Sequence, residues 1–178
     1  CGTQSRLSHN SNATIKLNGQ QQHQLDSILQ RALDYEALYT IIGKIKPMSS
    51  VASFTFPIAN TDSLKQTNGD VLDLNTEQKH LDKIAQIQAQ INTLSYPDLK
   101  FVLVPYKKAY KEKRILQLSV VRVSLLDSLL QKEASFFGQF GLVPGADPAV
   151  VVSTIEGCDK YERLRAYGYL FGYPEYAI

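Results

Sequence analysis

The chain is expected to fold as an α+β protein, a small antiparallel β-sheet of three or more strands packed against about five helices. Three observations lead there. The runs 51–58, 100–106 and 114–123 have the apolar, β-branched and aromatic content of strands. Longer stretches on either side of them repeat apolar residues every three to four positions, the period of a helix with one buried face. The last two strand-like runs are joined by the short segment 107–113, which favours an antiparallel hairpin over a parallel crossover.

A first helix is expected over 22–42, with Leu25, Ile28, Leu29, Ala32 and Tyr39 on its buried face. Gly43 is placed to end it and Pro47 to prevent a restart. The run 51–58 (VASFTFPI) alternates around Phe54 and Phe56, and Pro57 confines it to a sheet edge or a strand end. A polar loop follows over 59–73, with a turn at Asn68-Gly69. The second helix should start at Asn75 or Thr76 and reach Ser95. Its buried stripe is Leu81, Ile84, Ile87, Ile91 and Leu94, its polar face Lys79, Asp82, Lys83, Gln86 and Gln90, and Pro97 closes it. The strand 100–106 is apolar almost throughout and is expected at the centre of the sheet, with helices mostly on one face.

The last third reads as helical. Ser124 is placed to cap a helix running to Phe140 before Gly141. Asp147-Pro148 opens a short helix that stops near Gly157. Asp159 and Glu162 suggest a capping arrangement for the next, whose apolar face is Leu164, Tyr167, Leu170 and Phe171 and which ends at Gly172-Tyr173-Pro174. The chain then stops at Ile178, where Pro174 is placed to begin another helix, as if cut short.

Composition bounds the function. The 178 residues, 44% hydrophobic and 20% charged, suit one globular domain over 22–178 behind a polar tail over 1–21. A core of about 150 residues is large enough to be stable without disulfides or metal. No apolar run approaches the ~20 residues that span a bilayer. A net charge of +2 gives no reason to expect nucleic acid.

The tail opens Cys1-Gly2-Thr3-Gln4 and continues rich in Ser, Asn, Gln and Thr to about Gln22. Such a segment buries too little apolar surface to offset its ordering entropy. This opening resembles that of mature bacterial lipoproteins, whose N-terminal Cys carries acyl chains. The resemblance covers the tail alone. It implies lipidation at Cys1, a membrane tether in the bacterial cell envelope, and, with Gly2 rather than Asp next to it, the periplasmic face of the outer membrane. With Cys1 acylated, Cys158 has no partner, and it reads as a small buried hydrophobe beside Glu156, Asp159 and Glu162, acids that raise a thiol pKa.

Catalytic signatures are absent from the sequence: no phosphate-binding or dinucleotide loop, no nucleophile elbow and no zinc-protease pair. His9, His23 and His80 lie in or beside the tail or on a polar helix face, so neither a metal site nor a triad is expected, and no cofactor.

Two clusters are candidate sites. The first is the hairpin segment with Lys107, Lys108, Lys111, Lys113 and Arg114, interleaved with Tyr106 and Tyr110. It suits anionic lipid headgroups or an acidic polymer, or, more plainly, is a solvated tip whose charges keep a sheet edge from pairing. The second is 156–173, where Glu156, Tyr161, Arg163, Arg165 and Tyr167 suit a pocket wall that grips a carboxylate or phosphate. Its plainer reading is an amphipathic helix with ion pairs such as Glu162–Arg165 and aromatics in the core. Gly168 inside that helix calls for close packing or a ligand. A weaker candidate is 43–50, where Lys44, Lys46, Ser49 and Ser50 could cradle an anion, though a simple helix exit is commoner. The plainer reading is favoured for each.

The expectation is therefore a membrane-tethered envelope binding or assembly module whose partner is another envelope protein, a lipid headgroup or a glycan. The alternative is a lipid-anchored hydrolase or transferase acting through Glu156, Tyr161 and Arg163.

Overall fold

The computed structural model describes residues 18–57, 74–111 and 113–178. Cys1, the tail to residue 17 and the Asn68-Gly69 turn lie outside these. The fold is α+β, as expected. In chain order the elements are α1 (Gly19–Asp34), α2 (Ala37–Ile41), β1 (Met48–Pro57), α3 (Leu74–Asn92), β2 (Leu99–Pro105), β3 (Lys113–Arg122), α4 (Val123–Lys132), α5 (Ala134–Phe137), α6 (Pro148–Gly157) and α7 (Lys160–Leu170). Two 3₁₀ turns, Gly138–Phe140 and Glu175–Ala177, complete the described elements.

The three strands form one antiparallel sheet in the order β1-β3-β2. The hairpin of β2 and β3 is as expected, but β3 is central and β2 an edge strand. The apolar run in β2 has another cause: helices cover both faces of the sheet rather than mostly one. Phe101 packs with Ile87 and Ile91 of α3 and Ala32 of α1. Val102 and Val104 pack in a second cluster with Leu126, Leu130, Phe137 and Ile155 of the later helices. A strand covered on both faces carries apolar residues on both, wherever it lies in the sheet.

Alternation along β3 separates the two faces. Leu118 and Val120 point to the α1–α3 side and Val121 to the α4–α7 side. In β1 the alternation changes phase, because its pairing with β3 shifts register between Ser50 and Ala52. Met48 belongs to the α4–α7 cluster, whereas Phe56 packs on the α1–α3 side with Phe54 beside it. One inserted residue exchanges the faces of all that follow it.

The expected helix over 22–42 is two helices. It begins earlier, at Gly19, where Asn18 and Gln21 form a reciprocal capping box, so residues 19–21 belong to the folded domain. It breaks at Tyr35, whose backbone is extended. The break rotates α2, which leaves Tyr39 48% exposed and buries Thr40. On α3, Leu81 is exposed and Gln90 buried, the reverse of expectation. Gln90 sits against α1, where its amide donates to Gln21 O and Gln24 Oε1.

Three caps also differ from or refine the sequence reading. The first turn of α4 is closed not by Ser124 but by Asp98, which accepts from the Ser124 N–H at 2.8 Å and its hydroxyl at 2.7 Å. Asp98 also pairs with Arg122 at 2.8 Å. Asp147 caps α6 through the Ala149 N–H with Pro148 in the first turn, as expected. Asp159 precedes α7 without a side-chain capping bond. The helix after Ser124 is interrupted after Lys132 and Phe137, and Gly141 at φ 73° takes the left-handed turn that ends it.

Candidate ligand-binding cleft

On the α4–α7 side, β3 carries Gln117 and Ser119 between apolar neighbours, and both are buried. They form the floor of a cleft of about 640 Å³, with Ser50 of β1 and Val104, Ile115 and Val152 around them. One wall is α7, through Arg163, Leu164, Tyr167, Gly168 and Phe171. The β2–β3 connection overhangs it with Tyr106, Lys108 and Tyr110, and Tyr173 stands past the end of α7. Gly172, at φ 70° and close against Lys46, turns the chain toward the start of β1 and so brings Tyr173 there.

Glu156 is the polar centre of the cleft and is only 6% exposed. Its Oε1 accepts the Lys107 backbone N–H at 2.8 Å and its Oε2 the Tyr167 hydroxyl at 2.6 Å. Both donors are neutral, and the carboxylate ties α6 to α7 and to the hairpin connection. Burial, and then the Glu156 carboxylate beside it, push the Tyr167 hydroxyl well above the usual phenol range. Burial and Glu156 raise Tyr106 as well. Nearby, Gln117 Oε1 accepts from the hydroxyls of Ser53 at 2.5 Å and Tyr106 at 3.2 Å.

The sequence-derived candidates fall into four places. Lys108, Glu156, Arg163 and Tyr167 line the cleft, so one residue of the basic hairpin joins three of the second cluster. Lys107 and Arg114 have structural work: Lys107 Nζ donates to Gly157 O and Cys158 O at 2.7 and 3.0 Å, closing the carbonyl end of α6. Arg114 donates to Tyr106 O and Lys107 O across the hairpin. Lys111, Lys113 and Tyr161 point to solvent, Tyr161 at 80% exposure.

Arg165 lies away from the cleft. Its guanidinium stacks 5.1 Å from the Phe136 ring and 5.8 Å from that of Tyr169. No Glu162–Arg165 ion pair forms among the described residues, where the ion pairs are Asp98–Arg122 and Lys132–Glu133. In the 43–50 segment Ser49 is buried, bonded to Thr40 at 2.8 Å and to Glu36 O, so its hydroxyl does not face an anion. Cys158 is half-buried against the core cluster, with its thiol donating to Thr154 O. Burial, then Glu162, raises its pKa, the direction expected from its acidic neighbours.

Gln117 and Ser119 were missed by sequence reasoning, whereas Ser50 of the 43–50 segment does line the cleft. A signal existed: in ILQLSVV the only polar residues stand two apart and so share one face of the strand. Two buried polar side chains on one face of a central strand mark a place where something polar approaches the sheet.

The cleft has the make-up of a small-molecule site: a floor of mixed polar and aliphatic side chains, aromatic walls and a few placed hydrogen-bonding groups. Among the described residues no group of His, Cys, Asp and Glu is arranged to hold a metal ion. No helix there is long and apolar enough to cross a membrane. No protein-family model, curated protein or solved structure matches the chain.

Proposed function

We propose that this protein is a non-enzymatic binding module of the bacterial cell envelope, which holds a small amphipathic ligand in the cleft between β3, the hairpin connection and α7. One observation carries the reading. The cleft offers polar groups set among apolar and aromatic walls, yet its one carboxylate has both oxygens engaged by protein donors. A general acid or base must reach the reacting proton, and Glu156 is only 6% exposed with each oxygen already held by a protein donor. The hydrolase or transferase reading also needs Tyr161 beside Glu156, and Tyr161 points to solvent.

The polar tail from Cys1 supports a tethered version of this module. Two or more acyl chains on Cys1 would hold the domain at the membrane, at ~0.8 kcal/mol per buried CH₂. The ligand would then be drawn from a lipid headgroup, a glycan or a second envelope protein.

Two measurements test the two halves. Backbone NMR shifts recorded against a fragment library should change in one cluster at Val104, Gln117, Val152 and Tyr167. Shifts scattered over the surface would end the cleft reading. Intact mass and membrane fractionation of the native gene product, beside a Cys1→Ala variant, test the anchor. Acyl mass and membrane association lost in the variant are expected, and an unmodified soluble native form would remove the tether.

A further inference from the structure

Resting on the binding-module reading, we propose that the cleft takes an aromatic organic acid: a planar ring against the aromatic walls, its acid group toward Lys108 and Arg163. Shape and chemistry of the walls argue for a ring. Tyr106 and Tyr110 face the cleft from the hairpin connection, and Tyr167 and Phe171 from α7. The last two stack on each other, 5.7 Å apart with an interplanar angle of 20°. Such walls favour stacked or edge-on rings.

The floor argues against a simple acyl chain. Ser50, Gln117 and Ser119 interleave polar groups with Val104, Ile115 and Val152. A methylene chain laid there would cover the Ser50 and Ser119 hydroxyls with hydrocarbon and would lose rotamer freedom on binding, whereas Gln117 is already bonded to Ser53, Tyr106 and Leu118 O. A rigid ring with polar substituents meets both kinds of neighbour. A sugar acid fits less well, because its hydroxyls would be pressed on the three aliphatic side chains.

Charge settles the acid group. Among the described residues the cleft's charged side chains are Lys108, Glu156 and Arg163, and Glu156 already accepts from two protein donors. Among the described residues no acceptor lies against Lys108 Nζ. Arg163 uses only Nη1, at 3.4 Å to Glu156 O and 3.5 Å to Cys158 O. Among the described residues its remaining N–H groups have no acceptor and form a planar fork, the geometry that suits a carboxylate.

Calorimetry on the full chain tests this with four probes: 2-naphthoate, the neutral 2-naphthalenemethanol, decanoate and galacturonate. Naphthoate should bind best, more weakly at high ionic strength. Lys108→Ala should weaken it by roughly three- to tenfold and Arg163→Ala at least as much, with Lys132→Ala unchanged. Because Arg163 also meets the end of α6, the exposed Lys108 carries the decision. Equal binding of naphthoate and naphthalenemethanol, an unchanged Lys108→Ala, or tighter binding of decanoate or galacturonate would overturn the assignment. Any of these with shifts still centred on Gln117 and Tyr167 leaves the binding module standing. Naphthoate failing to bind ends the aromatic-acid assignment, while the fragment map separately decides the module.

Discussion

The Tyr167 hydroxyl donates to Glu156 Oε2 at 2.6 Å while the Lys107 N–H occupies Oε1, so one buried carboxylate joins α7, α6 and the hairpin overhang. Removing it orphans two donors at once. Glu156→Ala should cost about 2–4 kcal/mol in urea denaturation. Glu156→Gln, which keeps one acceptor oxygen, should cost less. Tyr167→Phe should cost about 1 kcal/mol and leave the fold intact.

The same contact sets an alkaline limit. An unfolded tyrosine ionises near pH ~10, and burial raises Tyr167 and Tyr106 above that in the folded chain. The stability they contribute is fully present below pH ~10 and is lost as pH rises through their folded values. Tyrosinate absorbance should therefore show two tyrosines ionising later than the exposed ones, in step with unfolding. Tyr167→Phe should remove one of the two delayed groups.

Acid acts through a different pair. The Ser124 hydroxyl and N–H, and then Arg122, hold the Asp98 carboxyl below the usual range. Its contribution is fully present above the unfolded value of ~3.9 and is lost as pH falls through the folded one. Asp98→Asn should flatten the acid limb of the stability curve. Asp98→Ala should cost about 2–3 kcal/mol at neutral pH, because it removes a helix cap and leaves buried Arg122 without its counter-charge.

Gly168 answers to Ile178 rather than to a ligand alone. A Cβ there would meet Ile178 Cγ1 at 3.0 Å, a contact the isoleucine must yield to by a few tenths of an ångström. Alanine otherwise favours a helix interior by about 1 kcal/mol. Gly168→Ala should therefore be nearly neutral in the native chain and stabilising by about 1 kcal/mol in an Ile178→Ala background. A double-mutant cycle reads the difference as coupling between the two.

Local chemistry was legible where a single residue type forces a backbone state. Asp147-Pro148 starts α6, Gly141 and Gly172 take left-handed turns, and the short connection makes β2 and β3 a hairpin. The buried faces of α1 and α3 were legible in part, through Leu25, Ala32, Ile87 and Ile91. Tyr39 went astray because the helix breaks at Tyr35, and Leu81 because apolar spacing identifies a stripe but not how wide a neighbour covers it. Half of the cleft was visible as Glu156, Arg163 and Tyr167 on neighbouring helices.

What the sequence by itself determined is the inventory: the strand-forming runs, some helix ends such as Asp147-Pro148 and Gly141, an α+β class, and two clusters of charged and aromatic residues. Those follow from periodicity and turn chemistry, which act within a few residues. Only the tertiary structure decided that helices cover both faces of the sheet, that β3 and not β2 is central, and that Lys108 faces Arg163's cleft while Arg165 stacks on Phe136 away from it. These depend on the β1 register shift and on which helix lies over which strand. Such pairings join residues far apart in the chain, where contact energies rather than local propensity choose among the alternatives.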